Sequence, residues 1–298
     1  MSQTASPSAG HRYGLAAVCR VWEVARSTVY ARIAREVMPP PQRRRRGPRT
    51  KWADDHLLAK IRELLEASVF TGEGHRKIWA RLRFAGVRTS KRRTLRLMRE
   101  ANLLAPTRTG HPHGPKAHDG TIVTERPDEM WGIDATSVLT RQDGSATVFV
   151  LVDHCTAECL GLHAAKHGNR FEAMEPLRQA IPVAFGTYEA DAATGLALRH
   201  DHGSPFVSDD FQAELDLLGI TSSPAFVREP EGNGCAERFI RTLKEQLLWI
   251  HTFDTIEELQ LALHDFRMRY NGGWLIERHG YLSPSARREQ FNPLREAA

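Results

Sequence analysis

The sequence contains no run of about 18 apolar residues, so no segment of it is suited to span a bilayer. The opening stretch MSQTASPSAGHRYG is not apolar, so a secretion signal is not expected and a cytoplasmic location is. Cysteine is scarce. The four present, Cys19, Cys155, Cys159 and Cys235, form no dense framework, which fits a reducing compartment. Cys155 and Cys159 lie near His154 and His163, but their spacing matches no standard zinc pattern. No internal repeat is present, which sets aside solenoids and propellers. What the chain does have is charge, unevenly placed. Residues 1–128 carry 26 Lys and Arg against 11 Asp and Glu, while residues 129–298 carry 15 against 25. A basic front half suits a polyanion, because each phosphate contact releases condensed counterions. An acidic rear half needs a reason to gather carboxylates, and metal binding is one.

A length of 298 residues suggests about two domains at roughly 100–200 residues each. Residues 1–38 contain RYGLAAVCRVWEVARSTVYARIARE, whose apolar spacing predicts two short helices. A turn around Val24–Arg26, with Ser27 as N-cap, gives a helix-turn-helix pattern. Residues 39–53 read as a basic linker. Its prolines forbid a continuous helix, and Arg43, Arg44, Arg45 and Arg46 are candidates to strap DNA phosphates. Residues 54–105 form a second helical unit, with Ser90 capping a helix whose first turn holds Lys91, Arg92 and Arg93. Cations at that end oppose the helix dipole, so contact with phosphate is the better reason for them.

Residues 106–128 read as a second linker, residues 129–250 as the catalytic core and residues 251–298 as a helical C-terminal extension. In the core, TVFVLVD and CLGLHAA read as adjacent strands. A helix interrupted at Pro182 follows, then the strand LALRHD, a helix and the short strand TSSPAF. Strands first, then alternation of strand and helix, predicts a mixed sheet with helices on its faces.

Three carboxylates stand out. Asp134 ends the apolar run MWGID, Asp201 ends LALRHD, and Glu237 opens the helix in EPEGNGCAERFIRTLKEQLLW. On that helix Ala236, Phe239, Ile240, Leu243 and Leu247 share an apolar arc, and Glu237, Arg241 and Lys244 lie together beside it. A helix that buries this arc brings Glu237 to the edge of the sheet and sets Arg241 and Lys244 along the path of a DNA strand. The plain alternative is a surface ion pair between Glu237 and Arg241, worth about 0.3–0.5 kcal/mol. Asp153 is a candidate fourth carboxylate. Asp209 and Asp210 suit a helix N-terminus, and Trp131 suits the core. Tyr270, Asn271, His279 and Tyr281 are open to contact with DNA or a partner subunit.

Between Asp201 and Glu237 lie 35 residues. That spacing, with WGIDAT (131–136), DHGSPF (201–206), PEGNGCAERFIRTLK (230–244), RYN (269–271), RHGY (278–281) and GHRKIWARL (74–82), resembles the D,D(35)E transposases and retroviral integrases. The nearer resemblance is to the second-frame (OrfB-type) transposases of the insertion sequence three family, and it spans about residues 12 to 290. His202, Pro205 and Gly232 depart from residues frequent in that family, but no carboxylate is missing.

The resemblance implies an RNase H-like α/β core, a mixed five-stranded sheet with flanking helices, preceded by all-α helix-turn-helix units. It implies a transposase that cuts at element ends and transfers a DNA strand, with Asp134, Asp201 and Glu237 as both catalytic and metal-binding residues. Two Mg²⁺ or Mn²⁺ ions are the implied cofactors, with Asp134 shared between them. Such ions take hard oxygen ligands and can activate water and stabilise a leaving oxygen. The expected partners are double-stranded DNA, at least one further copy of the chain, and an upstream-frame (OrfA-type) protein. Two rival readings are a DNA-binding regulator with an inactive core and a nuclease that cuts without joining.

Overall fold

The computed structural model describes residues 4–37, 51–106, 122, 124–225 and 233–291, in two compact units, Met1–Ala53 and Asp54–Ala298. Arg43, Arg44, Arg45 and Arg46 lie outside the described residues.

In the first unit, α1 (Leu15–Val21) and α2 (Arg26–Val37) are joined through Glu23, whose φ of 53° is left-handed. The chain reverses at that residue, so α2 is already under way at Arg26. Ser27 lies inside its first turn and is not the expected cap. Cys19 is the buried apolar residue of these helices; Trp22 and Tyr30 are exposed.

The second unit opens with α3 (Asp54–Glu66), α4 (His75–Phe84) and α5 (Lys91–Glu100), which pack on one another. Their apolar spacing closes a small core in which Leu57, Ile61, Ile78, Leu82 and Met98 are fully buried. Ser90 caps α5 as expected, its hydroxyl accepting from the Arg93 amide at 3.1 Å.

The catalytic half is a five-stranded mixed sheet in the order β3-β2-β1-β4-β5, made of β1 (Met130–Thr140), β2 (Gly144–Asp153), β3 (Cys159–Ala165), β4 (Ala197–His200) and β5 (Thr221–Pro224). The first three strands are antiparallel, and β4 pairs with β1 and β5 with β4, both in parallel. Side chains alternate between the two faces of a strand. Trp131, Ile133, Phe149 and Leu151 therefore pack with α6 (Arg170–Phe185) and α7 (Asp209–Leu217) on one face. Val148, Val150 and Val152 pack with α8 (Gly234–Leu243) and α9 (Ile256–Gly273) on the other.

Pro182 does not interrupt α6, which continues through both Pro176 and Pro182 to a left-handed Gly186. Its buried Met174, Leu177 and Ile181 explain why. Burial contributes about 1.5–3 kcal/mol per side chain, against a cost of about 3 kcal/mol per interior proline. Gly161 lets the helix lie close, because a Cβ there would meet the Pro176 carbonyl oxygen at 2.6 Å.

The C-terminal segment is structural. Tyr270 is buried and its hydroxyl donates to the Ala157 carbonyl, while the Asn271 amide bonds both backbone groups of Cys159. Tyr281 is buried against Trp79. These three therefore serve packing within the chain and not the external contact left open from sequence. The same segment holds the three-helix unit to the core. Glu277, in a short 3₁₀ turn, pairs with Arg76 at 2.7 Å and Lys91 at 3.4 Å. Phe70 meets Trp274 edge-on at 5.0 Å, and the Thr71 amide donates to Gln246 at 2.9 Å. A last helix, α10 (Pro284–Glu289), is tied back to the sheet by Arg288, which bonds Asp128 and Glu158.

Candidate active site

The pairing of β1 with β4 matches Met130 to Ala197, Trp131 to Leu198 and Gly132 to Arg199. Continuing that register by two residues brings Asp134 level with Asp201, just beyond the end of β4. β1 runs six residues past Asp134, so this aspartate lies within its strand and not at the end read from sequence, yet it stands level with Asp201. Asp134 is partly buried and Asp201 is exposed at the sheet edge. Each is steadied by a backbone amide, Ala135 to Asp134 at 2.7 Å and Gly203 to Asp201 at 2.8 Å.

Trp131 and Ile133 face α6 and α7, so Gly132 and Asp134 face the α8 side. Helix α8 buries Ala236, Phe239, Ile240 and Leu243 of the predicted arc, the turn after it buries Leu247, and Glu237 is left exposed beside them. Burial pushes the Asp134 carboxyl up to about 6; the Ala135 amide pulls it down, and the charges of Asp201 and Glu237 push it further up. Lys244 opposes them more weakly. The carboxyl of Glu237 is raised as well, by burial. Asp134 is therefore within electrostatic reach of both other carboxylates.

Arg241 does not pair with Glu237. Its guanidinium turns to Glu245 at 3.1 Å, and Glu237 has no ion-pair partner among the described residues. The simple surface pair on α8 is thus absent, and Glu237 stays available. Directly after α8 the chain enters a π-helical turn, Lys244–Leu248, which sets Lys244 within electrostatic reach of Asp134. Such turns recur at functional sites, and no residue pattern marks this one in advance.

As the side chains stand, no three His, Cys, Asp or Glu among the described residues are close enough together to grip an ion. The donor set nonetheless suits a hard divalent cation: it is all carboxylate, and the charges of Asp201 and Glu237 raise the proton affinity of Asp134. Gripping an ion needs the carboxylates to turn toward one another.

Asp153 lies apart from this site. It pairs across the ladder with Trp131, three residues from Asp134, and is fully buried. Its oxygens accept from the Thr156 amide and hydroxyl and from the Asp128 amide, so it closes a turn. The zinc-like group also disperses: Cys159 is buried in the sheet, and His163 pairs with Glu172 at 2.6 Å. Ser208, not Asp209 or Asp210, caps α7; both aspartates occupy its first turn.

In the helical unit, Arg93 holds Asp54 at 2.5 Å with its side chain 15% exposed, and Lys91 is engaged by Glu277. Arg92 is exposed, and Arg96 and Arg99 follow it on the same helical face at i+4 and i+7. Arg96 bonds Asp54 and Glu100, whereas Arg99 is exposed. Sequence reasoning singled out the first turn of α5 and missed this stripe; helical periodicity could have found it.

Residues 52–111 match the HTH-like domain family, and residues 218–284 match the integrase core domain family, a span that includes Glu237. The chain is 25% identical over 283 residues to the transposase for insertion sequence element IS629 of Shigella sonnei, covering 92% of this chain and 91% of that protein. It is 25% identical over 212 residues to the transposase InsD for insertion element IS2A/D/F/H/I/K of Escherichia coli, covering 68% and 69%. Among solved structures, the simian T-cell lymphotropic virus intasome in complex with PP2A regulatory subunit B56 gamma covers 78% of this chain and 76% of its own, at 18% identity and a TM-score of 0.47. The catalytic core domain of BIV integrase covers 57% and 99%, at 19% identity and a TM-score of 0.42. With an HTH-like domain ahead of an integrase core, and likeness to the IS629 transposase along nearly its whole length, the chain is similar to transposases of bacterial insertion sequences.

Proposed function

We propose that the chain cuts DNA at the ends of an insertion sequence and transfers the freed 3′-hydroxyl end to a new phosphodiester, at a site made of Asp134, Asp201 and Glu237. One observation carries the reading. The register between β1 and β4 sets two aspartates level, and the buried arc of α8 turns a glutamate toward them, so that Asp134 responds to both charges. Divalent metal, two Mg²⁺ or Mn²⁺ ions, would be held by these carboxylates and would supply water activation and leaving-oxygen stabilisation. The chain's own residues do the rest. Asp134 stands at the centre, between the strand pair and the helix. Lys244 lies where a phosphate of the bound strand can meet it, with Arg241 one turn earlier on the exposed face.

DNA is held elsewhere too. Arg92 and Arg99 present an open cationic edge on α5, and Arg43, Arg44, Arg45 and Arg46 add a strap. Lys91 and Arg93 are occupied within the protein and act by holding the helical unit in place. Joining two ends calls for at least two copies of the chain on DNA. The test is strand transfer by the purified chain with Mg²⁺ or Mn²⁺ and labelled pre-cut ends of the element. Joined product that disappears in Glu237→Gln supports the proposal. Cleavage without joining would turn the reading to a nuclease, and binding without either reaction to a regulator.

A further inference from the structure

We propose that Asn233 is a positioning residue: its buried side chain fixes where α8 stands along β1, and so fixes Glu237 against Asp134. The proposal rests on the reading of those carboxylates as a metal site. Asn233 precedes the first residue of α8 and is 4% exposed. Its Nδ2 donates to the backbone oxygen of Ile133 at 2.8 Å, a bond between residues one hundred apart in sequence. The spacing along the two elements then matches. From Asn233 to Glu237 is four helical residues, about 6 Å of rise. From Gly132 to Asp134 is two strand residues, about 6.6 Å. An asparagine seated over Gly132 therefore sets a glutamate one turn later over Asp134.

Gly132 is shaped for this. A Cβ on it would stand 2.7 Å from Asn233 Oδ1 and 2.9 Å from His154 Nε2, so any side chain there would displace both. His154 is held behind the strand, its amide donating to Met130 and its carbonyl accepting from Arg278, each at 3.0 Å. Asn233 Oδ1 and His154 Nε2 are buried and unpartnered among the described residues. One is an acceptor, and the other can carry a proton. Leaving both unpaired costs free energy, and a small rotation over Gly132 would pair them. The glycine, the asparagine and the histidine thus form one seat for the start of α8.

The experiment measures Mn²⁺ binding to the full chain by electron paramagnetic resonance, with thermal melting and hydrogen exchange of the metal-free protein. Asn233→Ala removes the bond to Ile133, Asn233→Asp keeps the shape but replaces the donor, and Gly132→Ala displaces the seat. Each is expected to weaken Mn²⁺ binding about 10-fold or more, as residues that orient ligands do, and to speed exchange across α8 but not across β1 and β2. Combining Gly132→Ala with Asn233→Ala should cost less than the sum of the two, because the displaced side chain is already gone. A lowered melting temperature with unchanged Mn²⁺ affinity would make Asn233 an ordinary stabilising residue and overturn the proposal. Glu237→Gln is the control. If it leaves Mn²⁺ binding intact, the metal-site reading fails, and the seat is then judged on exchange alone; unchanged exchange across α8 would sink it.

Discussion

Asp134 is expected to cost the metal-free protein stability at neutral pH, and Asp134→Asn should recover it. Folding moves this carboxyl from 3.8 to about 6, chiefly by burial. A folded-state value raised above the unfolded one means that stability is fully present below about 4 and is lost as pH rises through about 6. A gap of about two pH units corresponds to roughly 3 kcal/mol at 1.36 kcal/mol per unit. About half of that loss falls between pH 5 and pH 7.5. The asparagine keeps an oxygen for the Ala135 amide, so the bond at 2.7 Å need not be lost. The assay is urea unfolding of both proteins in chelator, from pH 5 to pH 7.5. The variant should gain on the parent by about 1–2 kcal/mol across that range, reaching about 3 kcal/mol at the top. Added Mg²⁺ should raise the parent's stability by mass action and leave the variant nearly unchanged. Equal pH slopes in chelator would refute the assignment of Asp134 as a destabilised, charge-crowded carboxylate.

Asp201→Asn and Glu237→Gln should each abolish joining while DNA binding survives, read by gel shift and strand transfer on the same preparations. Arg92→Ala and Arg99→Ala should each reduce the slope of log affinity against log salt by about one, whereas Arg93→Ala should leave the slope unchanged. Arg93→Ala should instead destabilise the helical unit by about 1.5–3 kcal/mol through its lost bonds to Asp54, seen as a lower urea midpoint. Replacing Arg43, Arg44, Arg45 and Arg46 by Ala should weaken binding and flatten its salt dependence; an unchanged slope would make that stretch a passive tether.

The carboxylates were legible as candidates because of the pattern around them. Asp201 follows the apolar run that becomes β4, and the arc from Ala236 to Leu247 can only be buried one way, whereas Asp134 was read as a strand end and lies within β1. The strand order was not legible. Nothing local in β1 says that it takes β2 on one side and β4 on the other; that follows from long-range pairing. The fates of individual charges were hidden for the same reason. Arg93 looked like a phosphate ligand because its partner Asp54 lies thirty-nine residues away. Asp153 looked like a ligand because it ends an apolar strand run, but its register places it opposite Trp131. Asn233 and Gly132 look like loop punctuation until the helix and the strand are brought together. Pro182 looked like a break because propensity carries no account of the sheet that α6 covers.

The segment from Glu277 to Arg288 joins the parts of the second unit in a way that neither domain pattern foretells. Glu277 holds Arg76 and Lys91 of the helical unit, and Tyr281 packs on Trp79. One residue on, Arg278 bonds the carbonyl of His154, whose ring abuts Gly132. Ten residues further, Arg288 grips Asp128, just before β1, and Glu158, just before β3. The helices that carry the exposed arginines are thereby fixed to the strand that carries Asp134. The half-buried Arg288 pairs contribute little net stability but are costly to break one-sidedly, while the exposed Glu277 pairs add little beyond orientation. Their effect is to hold geometry: under the proposed function, a DNA end held at Arg92 and Arg99 would meet the carboxylates at a set distance.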